Sequence, residues 1–228
     1  RIEQLSTSII NKIAAGEVIE RPASAVKELI ENAVDAGATR VDVMIEEGGS
    51  RLIRVVDDGH GIAADQMELA IASHATSKIR SADDLFCVRT LGFRGEALAS
   101  ISEVSQMTLR SRTADEEVGN IFEISGGQRS NLRPTGCPTG TLVEVRNLFF
   151  NTPVRRKYLK TVQTEMGHIT EAFTRIALVY CDIHFSIKHN GRLIHDLPAV
   201  DNWKDRIAHF FGRDLAQGLI WVESEIDD

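Results

Sequence analysis

The sequence predicts an α+β fold class, helices lying on a mainly antiparallel sheet, followed by the truncated start of a second domain. Three observations carry this. Apolar residues recur with a helical period over PASAVKELIENAVDA. Directly after it, Val41, Val43 and Ile45 alternate with polar residues, Gly48-Gly49 supplies a turn, and Leu52 to Val56 resumes an extended pattern, which reads as a β-hairpin. Residues 104–150 are then rich in strand-like runs punctuated by Gly, Pro and Thr.

The elements follow in order. Ser8 to Val18, with Ile9, Ile10 and Ile13 apolar, is a first helix. Pro22 suits the first turn of the second, and Gly37 suits its end. After the hairpin, Asp65 to Ser73 reads as helical, residues 78–95 as a long loop, and Arg94 to Ile101 as helical again. Thr164 to Tyr180 is a helix, and HFSIKHNGRLIHD is a hairpin turning at Asn190-Gly191. The composition shifts after Pro198. Trp203, Ile207, Phe210 and Phe211 have helical spacing closed by Gly212, and GLIWVESEI looks like a strand starting. This is the opening of a second domain or, equally, a helix docking on the first. The division expected is an arm at 1–20, a main domain at 21–200 and the start of a second at 201–228.

The chain has 228 residues, 43% hydrophobic and 26% charged, which is globular composition. Its net charge of −7 leaves any nucleic-acid contact to a local patch. Cys87, Cys137 and Cys181 lie far apart, without zinc spacing or a disulfide framework, so a reducing, intracellular compartment is expected. No apolar run is long enough to span a bilayer. The chain opens without Met and stops in ESEIDD, as a fragment would.

The polar side of KELIENAVDAGA is the first candidate site. At about 100° per residue, Asp35 falls about 20° from Glu28, Asn32 about 40° and Glu31 about 60°, with Val26, Leu29, Ile30, Ala33 and Val34 opposite. Glu28 and Asn32, four residues apart, point the same way. A carboxylate can take a proton from an attacking water, and an amide oxygen can ligate a hard cation such as Mg²⁺. A charged outer face explains the same residues.

Each loop also carries two readings. DDGHGI places Asp57, Gly59 and Gly61 in D-x-G-x-G spacing at a strand end, suited to a planar donor such as an adenine amino group, or to a plain turn. LGFRGEALASI puts Gly92 and Gly95 at a helix mouth, where N–H groups favour an anion and Arg94 adds charge. Glu96 there fits a first helical turn for dipole reasons alone. A GxxxxGK[ST] phosphate loop is excluded. Thr141, after Gly140, offers a hydroxyl to a base or simply begins a strand. HATSK, His74 to Lys78, sets hydroxyls and an ammonium beside the long loop, or ends a helix. Arg155, Arg156, Lys157 and Lys160 surround Tyr158 in a run that contacts phosphates or is merely solvated.

In this order, the pieces IINKIAAGEVIERPASAVKELIENAVDAGA, DDGHGI, HATSKI, LGFRGEALASISEVS, Gly140-Thr141 and NLFFNTPVRRKYLK cover nearly the whole chain. The sequence resembles the GHKL (Bergerat-fold) ATPases and, within them, the N-terminal ATPase region of MutL-type DNA mismatch repair proteins. GFRGEALASI and NTPVRRK carry the MutL likeness. The resemblance implies a Bergerat-fold sandwich that binds and hydrolyses ATP with Mg²⁺. It makes Glu28 the general base, Asn32 the Mg²⁺ ligand, Asp57 the adenine-reading carboxylate with Gly59 and Gly61 in its loop, and Thr141 a second base-side contact. Thr76, Ser77, Lys78, Arg94, Gly95 and Glu96 would border a nucleotide lid. Asp58 departs from the Asn common after this Asp, and is expected to add negative charge near the nucleotide.

The resemblance further implies that ATP orders the lid and arm and closes a dimer. A γ-phosphate-sensing lysine is expected beyond Asp228, so that hydrolysis by this stretch is weak. Expected partners are ATP and ADP, a MutS-type mismatch-recognition protein, downstream repair factors and, weakly, DNA, in a bacterial cytoplasm or a eukaryotic nucleus. A non-enzymatic DNA-binding or coupling scaffold, or another GHKL ATPase such as a topoisomerase subunit, are the alternatives.

Overall fold

In the computed structural model, the described residues are Glu3, 6–73, Ala75, Leu91, 95–220 and Val222, without the side chains of Thr7 and Ser8. Helix α1 (Thr7–Val18) turns Ala15 inward, and buried Ile19 follows it, while Ile9, Ile10 and Ile13 face outward. Helix α2 (Pro22–Asp35) begins at a proline whose fixed φ suits the first turn. It stops before Gly37, whose φ of +69° no helix continues. Val26, Leu29, Ile30 and Ala33 are buried beneath α2. Burying a side chain of the size of Leu29 or Ile30 contributes on the order of 2 kcal/mol, above the roughly 0.5–1 kcal/mol of rotamer entropy it loses. The apolar side therefore sets the rotation of α2, and with it the direction of Glu28 and Asn32.

Among the described residues, strands β1 (Arg40–Glu46), β2 (Leu52–Asp57), β3 (Gln106–Arg112), β4 (Gly119–Ser125), β5 (Gln128–Arg129), β6 (Arg133–Thr135), β7 (Gly140–Arg146), β8 (His184–His189) and β9 (Arg192–Leu197) form one sheet. Its order is β5-β4-β3-β7-β2-β1-β8-β9, with β6 on β4. Every pair is antiparallel except β1 with β8, where Val43 pairs with Ile187. Alternation sends Val41, Val43, Ile45, Ile53, Val55, Met107, Leu109, Val143 and Val145 into the core. Over β2 and β7 the opposite face carries Arg54, which is ion-paired with Glu144 and partly exposed. Helices α2 and α6 (Val162–Val179) lie side by side over the apolar face, with Ile169, Phe173 and Ala177 buried.

Three local expectations change. The helix expected from Asp65 to Ser73 is one 3-10 turn, Ala64–Gln66, and the four-residue α3 (Met67–Ala70). Only Met67 and Ile71 are buried there, so one turn is enough to seat both. Helix α4 spans Ala97–Glu103, starting later than Arg94, because Gly95 has a φ of +63°. Gly218 closes α8 (Arg213–Gly218), and most of the strand expected from it lies outside the described residues. Before it, α7 (Trp203–Phe211) is fastened to the sheet by fully buried Arg206, whose guanidinium donates to the carbonyls of Leu197, Cys181 and Ile183. Helix α5 (Pro153–Tyr158) carries most of the basic run.

Candidate active site

Helix α2, the ends of β2 and β7 and the start of α4 enclose a cleft of about 960 Å³. Glu28, Asn32, Asp57, Gly61, Gly95, Glu96 and Thr141 all line it. The acidic helix and the loops, up to 113 residues apart in sequence, thus share one wall system. Thr76, Ser77, Lys78 and Arg94 lie outside the described residues.

Asp57 closes the inner end. It is the last residue of β2 and pairs in register with Thr141. Its Oδ1 accepts from the Gly59 amide at 2.9 Å and the Thr141 amide at 3.2 Å. Burial pushes this carboxyl above its ordinary range, and the two amides pull it partly back. Both bonds fall on one oxygen, so Oδ2 is the atom left to meet a ligand. The two glycines have steric reasons. A Cβ on Gly59 would crowd Ala36 at the end of α2, and one on Gly61, with φ at +75°, would meet the backbone of Arg112. The loop is tied to α2 by the His60 amide, which donates to the Ala36 carbonyl at 3.0 Å.

Glu28 is a partly exposed carboxylate of the outer wall, 28% of its side chain exposed. Asn32, one turn on, offers an amide to the same space. Five carboxylates, Glu17, Glu28, Asp35, Asp57 and Glu96, line the cleft, and Lys27 is its one Lys or Arg among the described residues. A polyphosphate entering such a wall needs a cation beside it.

The sequence profile of the histidine kinase-, DNA gyrase B- and HSP90-like ATPases matches residues 19–135, just over half of the chain. The solved ATPase domain of Aquifex aeolicus MutL, complexed with ADP, is 38% identical, with a TM-score of 0.70 over 85% of this chain and 70% of that one. The chain belongs to this ATPase family, in its MutL branch. The DNA mismatch repair protein MutL of Xanthomonas oryzae pv. oryzae is 52% identical over 97% of the chain, and that of Xylella fastidiosa is 51% identical over the same share. The chain spans 36% of the length of these curated relatives.

In this MutL-type chain, three groups differ from what the sequence suggests. Asp58 does not line the cleft, though, after the larger effect of burial, its charge still acts on Asp57, raising it. The Asp58 carboxylate accepts from the amides of Thr39 and Arg40 at 2.7 and 2.8 Å and from the Thr39 hydroxyl at 2.5 Å. Burial acts to raise it, but these bonds outweigh that and hold it below its ordinary value. Glu31, placed by periodicity on the polar stripe, is only 7% exposed and does not line the cleft. Arg155 turns inward, its guanidinium lying against Gly16 of α1, whereas Arg156, Lys157 and Lys160 are exposed.

Two contributors escape a reading of the sequence. Ser111, 1% exposed, donates to the Gly140 carbonyl and accepts from the Ile62 amide and, at 2.9 Å, from the Thr141 hydroxyl, so it orients the base-side threonine. Its signal was a polar residue in the inward series Met107, Leu109, Ser111. Lys27 is the other.

Proposed function

We propose that the cleft binds ATP with Mg²⁺ and hydrolyses it, as the switch of a MutL-type mismatch repair protein. The observation that carries this reading is the convergence of Glu28, Asn32, Asp57 and Thr141 on one cleft of about 960 Å³. That volume lies within the range of roughly 300–1,000 Å³ usual for small-molecule sites. Asp57 Oδ2 accepts from the adenine amino group, and Thr141, held by Ser111, offers a hydroxyl to the same base. The polyphosphate then runs along α2 toward Glu28, with its inner oxygens near Gly95 and, by the resemblance, the lid residues Thr76, Ser77, Lys78 and Arg94.

Glu28 takes a proton from the water that attacks the γ-phosphorus. The bond from that phosphorus to the ADP oxygen breaks, and ADP and inorganic phosphate leave. The donor set fits Mg²⁺. Asn32 would hold the ion through its amide oxygen, and Mg²⁺ is usually held by few protein ligands. Among the described residues no three His, Cys, Asp or Glu side chains converge as an alternative metal set. The bound ion would offset phosphate charge facing the five carboxylates.

The wider role follows from the MutL likeness. Residues 1–20 serve as an arm whose outward Ile9, Ile10 and Ile13 join a second copy when ATP is bound. Residues 21–200 form the ATP-binding domain, on which α7 of the segment 201–228 docks through Arg206. The ATP state signals from a MutS-type mismatch-recognition protein to downstream repair factors, and Arg156, Lys157 and Lys160 give weak DNA contact. The setting is intracellular, a bacterial cytoplasm. Nucleotide titration with and without Mg²⁺, followed by single-turnover hydrolysis, tests the core of the reading. Mg²⁺-dependent binding with turnover is expected. Binding with no turnover would turn the reading to a coupling scaffold.

A further inference from the structure

We propose that Lys27 is a positioning residue that holds Glu28 in place for hydrolysis, an inference that rests on Glu28 being the base. Lys27 directly precedes Glu28 on α2 and reaches two acids. Its Nζ donates to Glu31 Oε2 at 2.7 Å and lies 3.4 Å from Glu28 Oε1. The two acids differ in kind. Glu31 is 7% exposed and does not line the cleft, whereas Glu28 does. Glu31 is fixed by this burial and by the 2.7 Å bond from Lys27. The ammonium therefore bridges a fixed carboxylate inside the fold to a movable one at the site.

A helix staple alone would need only the Lys27–Glu31 pair, four residues apart. The contact with Glu28 is extra, and its placement has a use. Glu28 shares the cleft wall with four further carboxylates, Glu17, Asp35, Asp57 and Glu96. A long side chain 28% exposed among like charges has several rotamers open to it. A general base works only within hydrogen-bond reach of the water it activates. Lys27, the one Lys or Arg on the described wall, narrows those rotamers toward the contact it makes. It exchanges no proton in the reaction.

The test is a double-mutant cycle in the intact chain. Variants Lys27→Met, Lys27→Arg, Glu28→Ala and Lys27→Met with Glu28→Ala are compared by titration with a fluorescent ATP analogue and by single-turnover hydrolysis of bound ATP. Lys27→Met leaves Glu31 buried without its cation, so the same cycle is run in a Glu31→Gln background, where no buried charge is stranded. Lys27→Met is expected to bind nucleotide within about threefold of the parent but to hydrolyse it about tenfold more slowly, a share of the effect of a misplaced base. Lys27→Arg should recover most of the rate. With Ala at 28, Lys27→Met should cost nothing further, because the two residues act as a unit. An equal loss in both backgrounds, or weaker binding with an unchanged bound-state rate, would overturn the proposal. Parent-like hydrolysis by Lys27→Met beside an inactive Glu28→Ala would sink the positioning role alone. Parent-like hydrolysis by Glu28→Ala would remove the base assignment and this inference with it.

Discussion

Replacing Asp57 by Asn separates the two jobs of its carboxylate. Oδ1 accepts from the Gly59 and Thr141 amides at 2.9 and 3.2 Å, and an Asn oxygen in the same place keeps both bonds. The fold should therefore survive, and the removal of a buried charge should offset part of any loss. The atom that changes is Oδ2, which becomes an NH₂ group facing the cleft. Two donors then confront each other where the adenine amino group should be accepted. A hydrogen bond to a charged group is worth about 1.5–3 kcal/mol, and 1.4 kcal/mol is tenfold in affinity. ATP affinity should fall about 10- to 200-fold, while GTP, which presents an acceptor at that position, should lose less or gain. The assay is competitive titration of ATP and GTP against one fluorescent analogue, with the ligand-free thermal midpoint as a fold control. An unchanged ATP-over-GTP ratio at an unchanged midpoint would refute the base-reading role. A collapsed midpoint would mean that the two internal bonds were misjudged.

The remaining predictions concern the base, the metal, the basic row and acid. Glu28→Ala should bind ATP but hydrolyse it about 10²- to 10⁴-fold more slowly, and parent-like single turnover would exclude it as the base. Asn32→Ala should weaken nucleotide binding in the presence of Mg²⁺ and leave Mg²⁺-free binding alone; equal weakening in both titrations would count against the metal role. Neutralising Arg156, Lys157 and Lys160 together should weaken DNA binding and flatten its salt slope, whereas an unchanged slope returns them to plain surface. Asp58 is held below its ordinary value of 3.8, so its stabilisation is fully present above that value and is lost as pH falls through its lower folded value. Asp58→Ala should thus melt about 2–4 °C lower at pH 7, with the gap closing as pH falls below the ordinary carboxylate range, and a gap that stays constant in acid would contradict the bonding seen.

What the sequence could convey was local. The period of α2 fixed which side is apolar, the alternation of β1 and β2 fixed the hairpin, and the D-x-G-x-G spacing marked a strand end carrying a carboxylate. The site is legible for the same reason, since Glu28 and Asn32 share a stripe whatever packs around them. What was not legible depends on partners distant in the chain. The parallel pairing of Arg40 with His184 joins segments 144 positions apart, and nothing local announces it. Glu31 belongs to the stripe by angle, yet it is buried in the fold, where α6 comes from residues 162–179 to lie beside α2. Asp58 reads as a charge beside the site until the backbone of Thr39 and Arg40 is seen to turn around it. Helix signals also overran: Gly95 looked like part of a helix mouth, but its positive φ delays the first turn to Ala97.

The seat of Arg155 on Gly16 has a consequence for how the surface charge is counted. The guanidinium occupies the space where a Cβ at position 16 would stand, and its Nη1 is buried with no hydrogen-bond partner among the described residues. It is the far end of a flexible chain, so a single methyl at 16 would evict it without moving backbone. That methyl also suits the middle of a helix better than glycine does, by about 1 kcal/mol. The released cation would join the exposed row of Arg156, Lys157 and Lys160 on the neighbouring surface. How firmly α1 lies on the domain and how strongly that surface attracts an anion are therefore two settings of one dial, turned at position 16.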